Sequence, residues 1–228
     1  MPAPALWLLA DSRLPTGGHA HSGGIEAAVR RGQVRAPADV EGFLAARVPT
    51  TGLVTAAAAA AACALLAQGD DPVDWAPWDD AVSARTPVAA LREVSRQQGR
   101  AMLRTVRVAW PDAALDGLGA RPHQALVLGV ATRAAGGDPT DAAALAVHHL
   151  VGQVCSAAVR LLGLDPLALA AVHARTLAGH ALVVGKACAA GTDAATAHDP
   201  HLLPTATTPL PEVLAVLHAR SEGALFAS

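Results

Sequence analysis

Apolar residues recur along this chain at three- and four-residue intervals almost from end to end, and no segment alternates convincingly between apolar and polar over six residues. The first pattern marks one face of a helix, and the second would have marked a half-buried strand. The chain therefore reads as all-α, a single-domain bundle of about eight to ten helices over residues 1–228. A short helix is expected over about Ala3 to Leu9, followed by a glycine-rich loop and a second helix over about Gly23 to Arg31. A long helix follows near Ala38 to Gln68. It should kink at Pro49, where the ring clashes with the preceding turn and one hydrogen bond is lost. Asp71 to Ser83 reads as a short helix. Pro87 opens a longer one that reaches Trp110, since proline suits a first helical turn. Pro111 to Pro122 reads as a linker. Strong periodicity then covers Pro122 to Ala135, Pro139 to Leu164 and Pro166 to Ala190. Gly191 to Pro209 reads as a polar loop, and Pro211 to Glu222 as a last helix.

Composition sharpens this picture. Hydrophobic residues make up 52% of the chain but aromatics only 3%. Much of the apolar content is alanine, the strongest helix former and a small one, so long helices that approach closely are expected. The net charge of −2 argues against a general nucleic-acid binder. Cys63, Cys155 and Cys188 stand far apart with no CxxC, which suits a reducing compartment. The apolar run from Ala5 to Ala10 lacks a basic lead-in and stops at Asp11, unlike a targeting segment. The most membrane-like stretch, Leu53 to Ala67, falls short of the roughly 20 residues that span a bilayer. The expectation is a cytoplasmic chain with no membrane partner.

One segment departs from the helical pattern. Leu14-Pro15-Thr16-Gly17-Gly18-His19-Ala20-His21-Ser22-Gly23-Gly24-Ile25-Glu26 holds four glycines, two histidines, a serine and a carboxylate. A phosphate-binding loop needs a lysine after its last glycine, where this chain has Ile25 and Glu26. A nucleophile elbow around Ser22 needs a buried strand just upstream, which Arg13 to Gly18 does not form. His19 and His21 supply two metal ligands, too few for a structural zinc site. The reading that remains is local geometry plus binding. A glycine-rich turn feeds a helix that opens near Ser22, with Glu26 in its first turns.

The helix from Pro87 to Trp110 is the second distinctive region. Leu91, Val94, Gln98, Met102, Val106 and Trp110 mark one face, while Arg92, Arg96, Arg100 and Arg104 recur every four residues on another side. Like charges at that spacing repel by a few tenths of a kcal/mol per pair. The stripe reads either as a solvated face or as a surface that meets acid, whether Asp79/Asp80 within the fold or another protein. Gly99 costs such a helix about 1 kcal/mol relative to alanine. It is explained if another backbone crosses closely there.

The remaining histidines read as surface or hydrogen-bonded groups. His148 and His149 point about 100° apart on a helix, and His173 and His180 sit roughly 10 Å apart along theirs. His198 and His201 lack a third nearby ligand.

Taken in order, these segments resemble the urease accessory protein F (UreF) family. The resemblance lies in Leu8-Leu9-Ala10-Asp11-Ser12-x-Leu14-Pro15-Thr16-Gly17-Gly18, continued by His21-Ser22-Gly23-Gly24-Ile25-Glu26-Ala27-Ala28. It extends through Leu91-Arg92-Glu93-x-Ser95-Arg96-Gln97-Gln98-Gly99-Arg100, through Ser156 to Leu161, and through His218-Ala219-x-x-Glu222-x-x-Leu225-Phe226-Ala227-Ser228. The resemblance implies a non-enzymatic, all-helical chaperone for nickel insertion into urease, without catalytic residues, resident cofactor or metal site. Its implied partners are a second accessory protein (UreD/UreH type), an accessory GTPase (UreG type) and apo-urease, with a homodimer expected. Partner contacts then fall on Gly18, His19, His21, Ser22, Gly23, Gly24 and Glu26, on Arg96 and Arg100, and on Arg220 and Phe226 in the tail. Two positions depart from the family pattern. His19 stands where an aromatic is usual, and Ala224 and Ala227 stand where arginines flank Leu-Phe. The competing readings are a nickel carrier using His19, His21 and a distant histidine, a serine hydrolase centred on Ser22, and a helical interaction module unrelated to urease.

Overall fold

The computed structural model describes residues 4–18, 21–69 and 72–206, together with residues 212, 213 and 216. In the described residues the chain is helical throughout, without a β-strand. The helices are α1 (Ala5–Ala10), α2 (Ile25–Arg30), α3 (Pro37–Arg47), α4 (Leu53–Leu65), α5 (Ala76–Ala84), α6 (Ala89–Ala109), α7 (Ala114–Gly117), α8 (Gln124–Ala134), α9 (Pro139–Leu162), α10 (Pro166–Gly179) and α11 (Ala181–Thr196). A π-turn (Val48–Gly52) joins α3 to α4, and a 3-10 turn (Pro200–Leu202) follows α11.

The centre of the bundle is α4. Ala56 to Ala62 and Cys63 are all completely buried. A helix apolar on every side needs neighbours on every side, and α4 packs against α8, α9 and α11. Its alanines let those neighbours come down to the backbone. Gly129 of α8 lies over the Ala59 carbonyl, and Gly191 of α11 lies over the Ala57 carbonyl. A side chain at either glycine would meet main chain, which cannot rotate away.

At Pro49, where a kink was expected, the chain forms the π-turn. A π-turn absorbs the proline by leaving the regular i→i+4 ladder for one turn. The Thr50 hydroxyl donates to the Ala46 carbonyl at 2.8 Å, and the Thr55 hydroxyl donates to the Thr51 carbonyl at 3.0 Å. Helix starts follow familiar chemistry. The Asp138 carboxylate accepts from the Asp141 amide at 2.9 Å while Asp141 accepts from the Asp138 amide at 3.1 Å, closing a capping box on α9.

Three sequence expectations need correction. The linker 111–122 contains the one-turn helix α7. The helix expected over 166–190 is two helices bent by 53° at His180, whose ring pairs with the Thr176 carbonyl at 2.8 Å. The loop expected from Gly191 is helix up to Thr196, because Gly191 is a contact residue against α4 and not a terminator. The helix expected over Pro211 to Glu222 lies outside the described residues save three positions.

The membrane argument also changes. Through the π-turn the segment Pro37–Leu65 is one helix of 29 residues, so it and α9 are long and apolar enough to cross a bilayer. In the fold, 72% and 56% of their most apolar stretches are buried inside protein.

Candidate partner-binding surface

The glycine-rich loop is pinned between α6 and α9. Gly17, Gly23 and Gly24 take φ values of +80°, +62° and +87°, a left-handed backbone that only glycine adopts without strain. Space is as restrictive as torsion at Gly23, where an added Cβ would stand 2.7 Å from Val154 Cγ2. On the α6 side the Thr105 hydroxyl donates to the Pro15 carbonyl at 2.7 Å, and Gly17 packs over Ala101. Upstream, the His148 and His149 rings meet the Ala10 and Leu9 carbonyls at 3.0 and 2.8 Å. Two adjacent histidines thus hold the carbonyl end of α1, so the loop is tethered before it begins.

His21, Ser22 and Glu26 turn inward. Ser22 and Glu26 are completely buried and His21 nearly so. Ser22 Oγ accepts from the Gly24 and Glu26 amides at 3.2 and 3.5 Å, which opens α2 as the sequence predicted. Glu26 pairs with Arg30 at 2.9 Å. These three residues shape the loop, while Gly18 and Gly23 lie nearer the surface. A buried Ser22 engaged with backbone amides is not an exposed nucleophile. His19, Arg220 and Phe226 lie outside the described residues.

The arginine stripe of α6 divides in two. Arg96 bonds Asp79 at 2.5 Å and reaches Ser83 Oγ and the Arg121 carbonyl, and Arg92 donates to the Thr86 and Pro87 carbonyls. Those two are satisfied within the fold, Arg96 by Asp79 as that alternative anticipated and Arg92 by carbonyls instead. Arg107 pairs with Asp116 at 3.1 Å. Arg100 and Arg104 are exposed, in sequence next to the residues that touch the loop.

Beneath Arg96 lies a network that the sequence did not disclose. His123 is completely buried, with Nδ1 2.9 Å from Ser95 Oγ and Nε2 2.9 Å from Ser83 Oγ. The ring bridges α5 and α6 at the foot of α8. Gly99 sits beside it because the Pro122 carbonyl crosses α6 there, the close approach that a mid-helix glycine predicted. The glycine marked the crossing, but nothing in the pattern marked what crossed.

Burial pushes the His123 pKa down to about 4, with Asp79 opposing and Arg96 and Arg92 assisting the shift. His123 is therefore neutral in the fold. An unfolded chain takes up that proton near pH 6.5, so stability should fall as the pH drops from about 6.5 toward 4. Urea denaturation at pH 7 and pH 5 should show a lower midpoint at pH 5. His123→Leu should lose about 2 kcal/mol at pH 7, by leaving Ser95 Oγ without its ring partner and Ser83 Oγ with Arg96 alone, and should show a shallower pH dependence. An unchanged pH dependence in that variant would contradict this assignment.

Among the described residues no three His, Cys, Asp or Glu side chains gather where a metal ion would sit. The His148 ring has its centroid 4.9 Å from that of His173 and 6.0 Å from that of His149, tilted to both. Burial pushes the Cys63 and Cys155 thiols up to about 12 and 11, far from a reactive thiolate.

Relatives extend this geometry to a family. The UreF family model matches residues 34–177. The urease accessory protein UreF of Mycolicibacterium vanbaalenii is 43% identical over 224 residues, covering 98% of this chain and 97% of that protein. The chain belongs to the UreF family. The UreF proteins of Mycobacterium marinum and Mycobacterium tuberculosis are also similar. The first is 41% identical over 98% of this chain and 97% of its own length, and the second 47% identical over 71% and 74%. This UreF-family chain is an accessory protein, as the names of its relatives say. The family match runs from α3 almost to the end of α10. It takes in the α4 core and all of α6 but begins after the glycine-rich loop.

Proposed function

We propose that this chain is a urease maturation chaperone. It acts as a scaffold joining an accessory GTPase (UreG type) and a second accessory protein (UreD/UreH type) to apo-urease, for GTP-dependent assembly of the nickel centre. Nickel is cargo of the assembly. The reading places the chain in the cytoplasm and, through exposed apolar residues such as Trp7 and Leu182, in a homodimer.

The observation that carries the partner surface is the pair Arg100 and Arg104. They are exposed, enter no ion pair among the described residues, and stand next in sequence to Ala101 and Thr105, which touch Gly17 and Pro15 of the loop. Unneutralised guanidinium groups beside the loop suit an acidic protein partner, because arginine is favoured where interfaces anchor. Gly18, Gly23 and these arginines supply the outer contacts. His21, Ser22, Glu26 and Arg96 set the shape beneath, and the tail around Arg220 and Phe226 adds a second contact.

The test is capture. Tagged chain, co-expressed with the other products of a urease cluster, should retain the GTPase and the second accessory protein through washing. Recovery of the tagged chain alone would sink the scaffold reading.

A further inference from the structure

Arg47 is the least expected charge in the molecule. It closes α3 just before the π-turn and is only 6% exposed, and its Nε makes no hydrogen bond among the described residues. Its guanidinium stands 5.9 Å from the centre of the Phe43 ring and lies against Gly24 of the glycine-rich loop. Burial draws its pKa down to about 10, opposed only by the field of Glu212, so the group stays cationic at neutral pH. No carboxylate lies within ion-pair distance of it among the described residues. Gln98, 5% exposed, likewise has an Nε2 without a partner among the described residues.

Arg47 and Gln98 both line one cavity of about 140 Å³, together with Thr51, Thr55, Gln124 and Gln153. That volume holds about five waters at roughly 30 Å³ each, which fits a solute of a few heavy atoms. Buried cations are ordinarily paired, because an isolated charge out of water costs several kcal/mol. A guanidinium fork matches a planar oxyanion, and an amide N–H adds a further donor. Thr51 and Thr55 lie on the same helical segment as Arg47 and bring hydroxyls to the wall.

We propose that this cavity is a binding site for a small planar oxyanion of the carboxylate or bicarbonate class, held by Arg47 and Gln98. The site is separate from the Arg100 and Arg104 surface and does not depend on the scaffold reading. Because Arg47 packs on Gly24, a bound anion stiffens the base of the glycine-rich loop.

The experiment is a titration of the full chain with sodium acetate and sodium bicarbonate at constant ionic strength, set by chloride. The Arg47 Nε–H resonance is followed by NMR alongside the thermal midpoint. Saturable movement of that resonance, with an affinity at least tenfold weaker in Gln98→Leu, supports the site. Arg47→Met, which removes the buried charge, should lose the rise of the thermal midpoint with either salt, and a midpoint that still rises as in the parent overturns the proposal. Should that variant fail to fold, the wild-type resonance and Gln98→Leu still decide. Absence of saturation, or an equal response in Gln98→Leu, overturns the proposal. So does a wild-type resonance that ignores both salts but moves in Glu212→Gln, since Arg47 would then be paired with the chain's own carboxylate.

Discussion

Replacing Gly191 by alanine should destabilise the protein by about 3 kcal/mol, although alanine is the better helix former by about 1 kcal/mol. A Cβ at this position meets the Ala57 carbonyl, stands 2.8 Å from the Ala61 nitrogen and 2.9 Å from Ala60 Cβ. Two of those three neighbours are main-chain atoms of the most buried helix in the fold. Relief therefore requires α11 to lift off α4 as a body. Gly185 lies on the same helix, exposed and with open space around its Cβ position. There alanine should stabilise by about 0.5–1 kcal/mol. At about 2–4 °C per kcal/mol for a chain of this size, the midpoint should fall by about 6–12 °C in the first variant and rise by about 2 °C in the second. A Gly191→Ala protein as stable as the parent would mean that α11 does not rest on the α4 backbone.

The second large effect concerns partners. Arg100→Glu with Arg104→Glu reverses the two exposed charges beside the loop and leaves Arg96 on Asp79 and Arg107 on Asp116. Surface substitutions of this kind usually change stability by no more than about 0.5 kcal/mol. Capture of the other accessory proteins should weaken by about 100-fold, roughly 1.4 kcal/mol for each residue. The wild-type interaction should also weaken as salt rises, since exposed charges are screened beyond a Debye length of about 8–10 Å. Lys186→Glu, on the exposed side of α11, is the control and should leave capture intact. A double variant that captures as well as the parent would remove α6 from the interface.

How far the chain could be read in advance follows from the kind of signal each feature leaves. Helices announced themselves by period, and Pro49 and Gly99 announced a break and a crossing, because each penalises a regular helix in a way that needs a reason. Gly191 misled for the same cause. A glycine reads as a helix end unless the partner backbone is known, and that partner, α4, lies about 130 positions earlier in the sequence. The long helix expected near Ala38 to Gln68 is there as Pro37–Leu65, carried past Pro49 by the π-turn.

The candidate surface shows the same division. Motif order found the loop and the stripe, but exposure is a tertiary property. Ser22 and Glu26 look like display residues in a polar segment and are completely buried. Arg96 and Arg100, four residues apart and identical in type, differ because only one meets Asp79. His123 and Arg47 carried no pattern at all: each is a single residue whose meaning comes from elements distant in sequence.

The central claim is that this UreF-family chain is required to load nickel into urease. The most direct measurement is urease activity together with enzyme-bound nickel, in cells expressing a urease cluster with and without this chain. The account predicts normal amounts of urease protein that is nickel-poor and inactive when the chain is missing, restored when it is supplied. Equal nickel content and equal activity in both cells would contradict it.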